Sequence, residues 1–200
     1  IPLVDHLDNE ILMHRDTHFG GQFLIMLEYY EKEGKGSRPE FDHQRILALA
    51  KIEQKCGQNL SEILLQEPSR QLVKKAQLAY QQLKEVYTIS SPNSHLKLIT
   101  DLILSEEEDP REEIAEITKQ GPAIIDDLLL VFNNEDYYNP LFPGYGFTPE
   151  LVARCLGLLK SSKAIQPLFE KSARVDFFIE DALLEALCTI GIPSKNFLLN

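Results

Sequence analysis

The stretch that decides the fold is Ala153-Arg154-Cys155-Leu156-Gly157-Leu158-Leu159, followed after a short gap by Ala164-Ile165-Gln166-Pro167-Leu168-Phe169. A similar pattern returns at residues 185–199. Leu156 and Leu187 lie 31 residues apart. The same spacing relates three further pairs, which are Leu159 and Ile190, Ile165 and Asn196, and Leu168 and Leu199. A fixed period of about 20 to 50 residues is typical of stacked helical pairs, so this part of the chain is predicted to form a solenoid.

A third, weaker copy precedes these two. Ile124-Ile125-x-x-Leu128 corresponds to Ala164-Ile165-x-x-Leu168 at a spacing of 40 residues, and the excess over 31 indicates an insertion within residues 133–147. No segment shows the strict alternation of apolar and polar residues that is typical of a half-buried strand. The chain is therefore predicted to be all-α. Apolar spacing and capping signals predict helices over 22–33, 42–56, 59–65, 69–87, 93–105, 110–120, 122–133, 149–160, 163–172, 177–190 and 194–199.

The pattern over residues 153–168 resembles the short HEAT-type repeat of the phycobilisome-lyase-like HEAT group. In that pattern alanine and leucine pack the first helix against its neighbour, glycine (here Gly157) permits a tight turn, and Ala-Ile-x-x-Leu opens the second helix. Residues 180–199 match less well, because Cys188 and Lys195 replace the glycine and an alanine. The resemblance covers about residues 110–200, and it implies a right-handed α–α superhelix, that is, a HEAT-like helical solenoid.

The chain is expected to divide into an N-terminal helical region, residues 1–108, and a HEAT-like repeat array, residues 109–200. The first part has helices of less regular length, and it forms either degenerate repeats or a cap. The acidic cluster at residues 105–110 marks the boundary. Since a terminal repeat usually carries a polar outer face, the apolar Phe197-Leu198-Leu199 predicts that the array continues beyond the last residue. The alternative is that a partner covers this end.

Composition excludes several classes of function. The formal net charge of −11 argues against nucleic acid and anionic membrane surfaces as partners, because phosphate binding needs clustered Lys and Arg. No run approaches the roughly 18 apolar residues that a membrane helix needs. The chain has three cysteines and no Cys-x-x-Cys. Cys155 and Cys188 lie within apolar helical patterns, so both are expected to be buried thiols in a reducing compartment, which predicts a cytoplasmic protein.

The N-terminal histidines are the candidate metal ligands. His6, Glu10 and His14 are spaced four residues apart, and His18 follows. On one continuous helix the first three would share a face and could bind a first-row transition metal. The alternative is a polar segment with capping and surface roles. The Glu-His and His-Glu pairs of metal-binding HEAT hydroxylases do not occur in this sequence.

The insertion is the first candidate for a binding surface. Insertions in a solenoid form loops on one face, and aromatic side chains are good interface anchors. The aromatic residues predicted to bind a partner are Tyr137, Tyr138, Phe142, Tyr145 and Phe147. The alternative is that the loop folds back and buries its own rings, and both interpretations hold if one or two rings remain exposed.

The second helices of the predicted pairs, near 122–133, 163–172 and 194–199, would line the long groove of a solenoid. The polar residues on them that are candidate partner contacts are Asp126, Asp127, Gln166, Glu170 and Lys171. The acidic runs at 106–109 and 112–113 are interpreted as solvated charge at helix starts, with a surface for a basic partner as the alternative.

These observations predict a non-catalytic HEAT-like scaffold that binds a protein or peptide partner and needs no cofactor, because HEAT-type arrays mostly serve in this way. The group that the repeats resemble includes lyases that attach bilin pigments to cysteines, but nothing in this chain singles out a pigment site. The alternative is a metal-dependent enzyme or cofactor-binding protein that uses the N-terminal His and Glu residues. The sequence does not set the oligomeric state.

Overall fold

A computed structural model of the chain describes residues 5–32, 37–105, 109–173 and 177–199. These residues form twelve α-helices and no β-strand, so the prediction of an all-α protein is confirmed. The helices are α1 (His6–His18), α2 (Phe23–Glu31), α3 (His43–Cys56), α4 (Leu60–Leu64), α5 (Glu67–Ile89), α6 (His95–Leu104), α7 (Arg111–Lys119), α8 (Ile125–Phe132), α9 (Thr148–Leu158), α10 (Ile165–Ser172), α11 (Phe177–Ile190) and α12 (Ile192–Leu198). Short 3-10 helices cover Gly121–Ile124, Glu135–Tyr138 and Ser162–Ala164.

The chain divides into two compact units, Ile1–Gln82 and Leu83–Asn200, which we call the first and the second unit. The division falls within α5. The boundary predicted between residues 108 and 109 is the start of a repeat array. The division into compact units does not test it, so it stays a prediction.

Helix α1 of the first unit was not among the helices predicted from the sequence. It begins with a capping box, in which the Asp8 N–H donates to the Asp5 carboxylate at 3.0 Å and the Asp8 carboxylate accepts from the Asp5 N–H. Ile11 and Leu12 are fully buried. The next buried positions hold the polar residues His14 and Arg15, so the apolar periodicity that identifies a buried helix face is interrupted.

The core of the first unit is built from α1 to α4 and the Gly-rich turn and loops between them. Helix α2 packs on α3, and α1 packs on α4. Ten apolar side chains are buried together in this core, namely Ile11, Leu12, Phe19, Phe23, Met26, Phe41, Ile46, Leu49, Leu60 and Leu65.

Along the second unit, α7 is followed by α8, α9 by α10 and α11 by α12, and we call these three successive pairs. A 3-10 turn leads directly into both α8 and α10. The residues that correspond at a spacing of 40 share their burial: Ile124 and Ala164 are fully buried, as are Leu128 and Leu168. The 3-10 turn and the second helix of the first two pairs therefore have similar local structure, as their sequence correspondence predicts.

The correspondence at 31 residues holds only in the first helices of the pairs. Leu156 in α9 and Leu187 in α11 are both buried. Leu168 is fully buried, whereas Leu199 is 75% exposed. The connection from α11 to α12 is the single residue Gly191, while three residues and a 3-10 turn separate α9 from α10. This difference in connection shifts the register of the last helix.

Gly157 lies within α9 and not at a turn, which corrects the role that the resemblance gave it. A Cβ at this position would lie 3.0 Å from the Cα of Ala186 and 3.2 Å from its Cβ. The missing side chain thus lets α9 pack closely against α11. The turn after α9 falls at Lys160, whose φ is +50°.

Two further predictions can be compared with the structure. Cys155 is buried, as expected, but Cys188 is exposed, because it lies on the face of α11 that also carries the exposed Leu184, Glu185 and Thr189. None of the helices in the described ranges is long and apolar enough to cross a membrane.

Candidate functional site

The insertion after α8 packs against the second unit. Phe142 is only 1% exposed, and Tyr137 and Phe147 pack on the apolar core. The Tyr138 hydroxyl donates to the Phe132 carbonyl at 3.0 Å, and burial raises the pKa of Tyr138. Tyr145 is partly exposed. The folding-back alternative thus describes most of these rings, while their role in binding a partner stays a prediction.

The polar candidates on α8 and α10 are engaged with neighbouring side chains. The Lys163 amine donates to the Asp126 carboxylate at 2.8 Å, and His95 Nδ1 lies 2.8 Å from the Asp127 carboxylate. The Gln166 amide donates to the Glu170 carboxylate at 2.8 Å. Lys171 pairs with Glu135 and lies over the Tyr138 ring. A partner at this surface would have to replace or share these contacts.

The four predicted metal ligands lie along α1 but have different surroundings. His6 is 87% exposed and lies 3.3 Å from Glu10. The rings of His14 and His18 are 5.0 Å apart, and His18 Nδ1 lies 3.0 Å from the Tyr80 hydroxyl. Across the described residues, no group of three or more His, Cys, Asp and Glu side chains could hold a metal ion. The geometry of the described residues therefore adds no support for the metal hypothesis.

His14 is buried beside a positive charge. Its Nε2 lies 3.5 Å from the Arg38 guanidinium, and its ring meets Phe41 edge-on with centroids 5.0 Å apart. Burial, together with the charges of His18 and Arg38, lowers the pKa of His14 to about 2. The imidazole is therefore neutral in the folded protein at neutral pH, and a neutral ring can accept a hydrogen bond within the packed core.

Arg15 is the centre of a buried polar network in the first unit. Its guanidinium is fully buried and donates to Glu53 at 2.6 Å, to Asn59 at 2.9 Å and to Ser61 at 2.8 Å. It also donates to the neighbouring Asp16 and lies over the Phe23 ring. Because a buried charge must be paired, Arg15 ties α1 to α3 and α4 and leaves no free group for a ligand.

The second unit has an open groove of about 730 Å³ at α5, α6 and α7, which we call the acidic groove. Its apolar part comes from the half-exposed Tyr87, the buried Leu98 and the partly buried Leu104. The residues that line it are Lys84, Tyr87, Thr88, Leu98, Asp101, Leu104, Ser105, Glu112, Glu113 and Glu116. The volume lies in the range of ligand sites, about 300 to 1,000 Å³.

Four carboxylates and one lysine give the acidic groove its charge. Lys97 pairs with Asp101 at 3.4 Å, and Lys119 pairs with Glu116. Among the described residues, no side-chain hydrogen bond or ion pair involves Glu112 or Glu113, and the neighbouring Arg111 pairs with Asp109 instead. Both lie in the first turn of α7, where the helix dipole favours negative charge. The groove thus keeps two carboxylates available beside an apolar surface.

The sequence showed only part of this groove. The Glu112-Glu113 run was visible as helix-start charge or a surface for a basic partner. Tyr87, Leu98 and Leu104 were not identified, because they come from two helices that are brought together only by packing. A second hollow, of about 480 Å³, lies between α9 and α11, and Thr189 and Glu185 are among its lining residues.

Outside the acidic groove and the second hollow, the buried groups whose pKa values are shifted belong to the core. Burial raises the pKa of the Cys155 thiol to about 12, so this cysteine is a neutral packing residue. Comparison with family models, with curated proteins and with solved structures finds no match. The function proposed for the chain therefore depends on its own residues.

Proposed function

We propose that this chain is a non-catalytic helical scaffold that binds a protein or peptide partner, and that its second unit is a HEAT-like superhelix. The observation that carries the proposal is the acidic groove, which is open to solvent and has an apolar surface beside two unengaged carboxylates. Concave sites with a mainly apolar lining and a few placed polar groups are the usual binding sites of proteins.

The shape of the groove favours an extended partner over a small substrate. Its lining side chains come from three helices and extend along about two turns of α6 and about one turn of α7. Within the described ranges, no cluster of titratable side chains offers a metal site at this surface. The paired helices α7 to α12 support the HEAT-like fold, because α7 packs on α9 and α9 packs on α11, as stacked repeats do.

The proposal is tested by selecting peptides from a random display library on the immobilised full chain and measuring the binding of synthetic copies in solution. A matched pair of substitutions then locates the site. Thr88→Trp fills the acidic groove, and Thr189→Trp places the same ring in the hollow between α9 and α11. Both threonines are exposed on helices and donate their hydroxyls to the carbonyl four residues earlier, at 2.8 and 2.9 Å.

We expect saturable peptide binding that Thr88→Trp weakens by at least about tenfold, which corresponds to about 1.4 kcal/mol, while Thr189→Trp leaves it unchanged. Circular dichroism of both variants checks that the helices are intact. Failure to enrich any peptide that binds in solution would contradict the scaffold function. Binding that is lost only in Thr189→Trp would move the site to the second hollow.

A further inference from the structure

The acidic groove has a mixed chemistry that restricts its partner. The ring of Tyr87 is 47% exposed and has the Lys97 amine over it, and Leu98 and Leu104 continue this surface with apolar side chains between α6 and α7. Glu112, Glu113 and Glu116 border the same surface from α7. Burial of apolar surface here would favour binding of an apolar side chain of a partner, and the neighbouring side chains of that partner would meet carboxylates.

The charge of the groove disfavours acidic partners. Of its four carboxylates, Asp101 pairs with Lys97 and Glu116 pairs with Lys119, so Glu112 and Glu113 carry the remaining negative charge. The chain as a whole has a net charge of −11. Carboxylates repel phosphate groups and acidic peptides at close range, and they attract Lys and Arg. A negative protein field also speeds the diffusion of a positively charged segment towards the surface.

The spacing of the carboxylates in the groove favours a basic peptide over a metal ion as the ligand. A hard cation needs several oxygens that converge on one point at about 2 to 2.6 Å. In the part of the chain that the structure describes, no three carboxylates are placed in this way. Since three of the groove carboxylates lie on α7 and the fourth lies on α6, they match separate positive side chains of an extended segment.

We propose that the acidic groove binds an extended basic peptide segment in which Arg or Lys alternates with aliphatic residues. This inference rests on the proposed scaffold function and names the partner for the same site. The aliphatic side chains pack on Tyr87 and Leu104, and the basic side chains pair with Glu112 and Glu113. Arg is the better fit, because its guanidinium can donate two parallel hydrogen bonds to one carboxylate.

The test uses fluorescence anisotropy of a labelled peptide in which arginine alternates with leucine. Two control peptides replace every arginine by glutamine or every leucine by serine. The chain is compared with Glu112→Gln/Glu113→Gln and with Glu28→Gln/Glu31→Gln. The second variant removes the same charge from exposed positions of α2, so it controls for the net charge of the protein.

We expect the groove variant to weaken binding of the arginine–leucine peptide by about fivefold to tenfold, since exposed ion pairs contribute roughly 0.2 to 1 kcal/mol each. The α2 variant should change the Kd by less than about twofold, which is the scale of screened long-range charge. Both control peptides should bind more weakly than the alternating peptide. Raising the salt concentration should weaken binding to the wild-type chain more than binding to the groove variant.

Equal weakening in the two variants would overturn the inference, because it would show general attraction to an acidic protein. Peptides selected from the random library provide the second readout. Groove-bound peptides without basic residues would refute the basic-partner inference and leave the scaffold function standing. A library that yields no binding peptide would instead refute the scaffold function itself.

Discussion

The cores of the two units of this chain are stabilised by different interactions. In the described part of the first unit, the buried polar residues include His14 and the charged Arg15. The buried polar residues described in the second unit are uncharged, namely Thr100, Thr148, Ser161 and Ser194. Its helices pack through apolar side chains such as those of α8, α9 and α10.

This difference has a consequence for specificity. The Arg15 network joins three helices through hydrogen bonds with fixed directions, so no other residue type can replace the guanidinium. Repeated apolar pairs tolerate changes better, provided that volume and shape are kept. The first unit should therefore depend on single residues, and the second unit should depend on close fit at a few helix crossings.

The largest expected effect is that of Arg15→Met in the first unit. Removing the guanidinium leaves Glu53 and Asp16, whose side chains are 25% and 17% exposed, without their cation. Breaking a buried pair in this way costs about 3 to 5 kcal/mol. Hydrogen exchange followed by mass spectrometry should show the loss of protection in α3 and α4, because exchange reports stability segment by segment.

A matched control comes from Arg45, which pairs with Asp5 and Asp8 but has a 32% exposed side chain. Arg45→Met should reduce the protection of the same amides by less than about 1 kcal/mol. Similar losses in the two variants would show that the burial of Arg15 is not what stabilises the first unit.

Close packing of α9 on α11 is the matching weak point of the second unit. Gly157→Leu places a large side chain where even a Cβ would lie 3.0 Å from the Ala186 Cα, so the helices must move apart. We expect a loss of about 3 kcal/mol, at the upper end of overpacking costs. Gly157→Ala should reduce the stability less than Gly157→Leu, because alanine has a better helix propensity than glycine by about 1 kcal/mol.

Exchange protection in α9 and α11 is again the measurement. Glu185→Leu introduces the same side chain at an exposed position of α11 and should leave the protection within about 0.5 kcal/mol of the wild type. A Gly157→Leu variant as stable as wild type would show that the two helices can separate at little cost.

The sequence predicted the helices of the second unit well, because their buried residues are apolar and follow the helical period. It predicted the matching burial of Leu128 and Leu168, but it misplaced the register of α12, where a one-residue connection replaces a longer one. Periodicity measures spacing along the chain, and it does not report how a short connection rotates the helix that follows.

The sequence did not predict the contacts between residues that lie far apart along the chain. The partners of Arg15 in α3 and α4 lie 38 to 46 residues away, and no motif connects them. The same holds for the acidic groove, whose carboxylates were visible as a run while its apolar surface was not. The aromatic insertion was visible too, yet the burial of Phe142 depends on a loop path that composition alone does not fix.

The smallest expected effect is a pH dependence that belongs to the first unit. The pKa of His14 is lowered from 6.5 to about 2, so between these values the unfolded chain binds a proton that the folded chain does not. Stability is therefore lost as the pH falls below about 6.5, by about 1.4 kcal/mol for each pH unit. Between pH 7 and pH 5 we expect a loss of about 2 kcal/mol at α1, measured by exchange corrected for intrinsic rates.

His14→Gln should remove this pH dependence, and His6→Gln should retain it, because the His6 side chain is 87% exposed. Amides of α9 are the internal reference, since the Cys155 thiol, with a pKa of about 12, stays neutral throughout this range. A pH dependence of α1 that is the same in His14→Gln and in the wild type would show that another group carries it. A dependence of equal size in α9 would show that the two units do not differ in how they respond to acid.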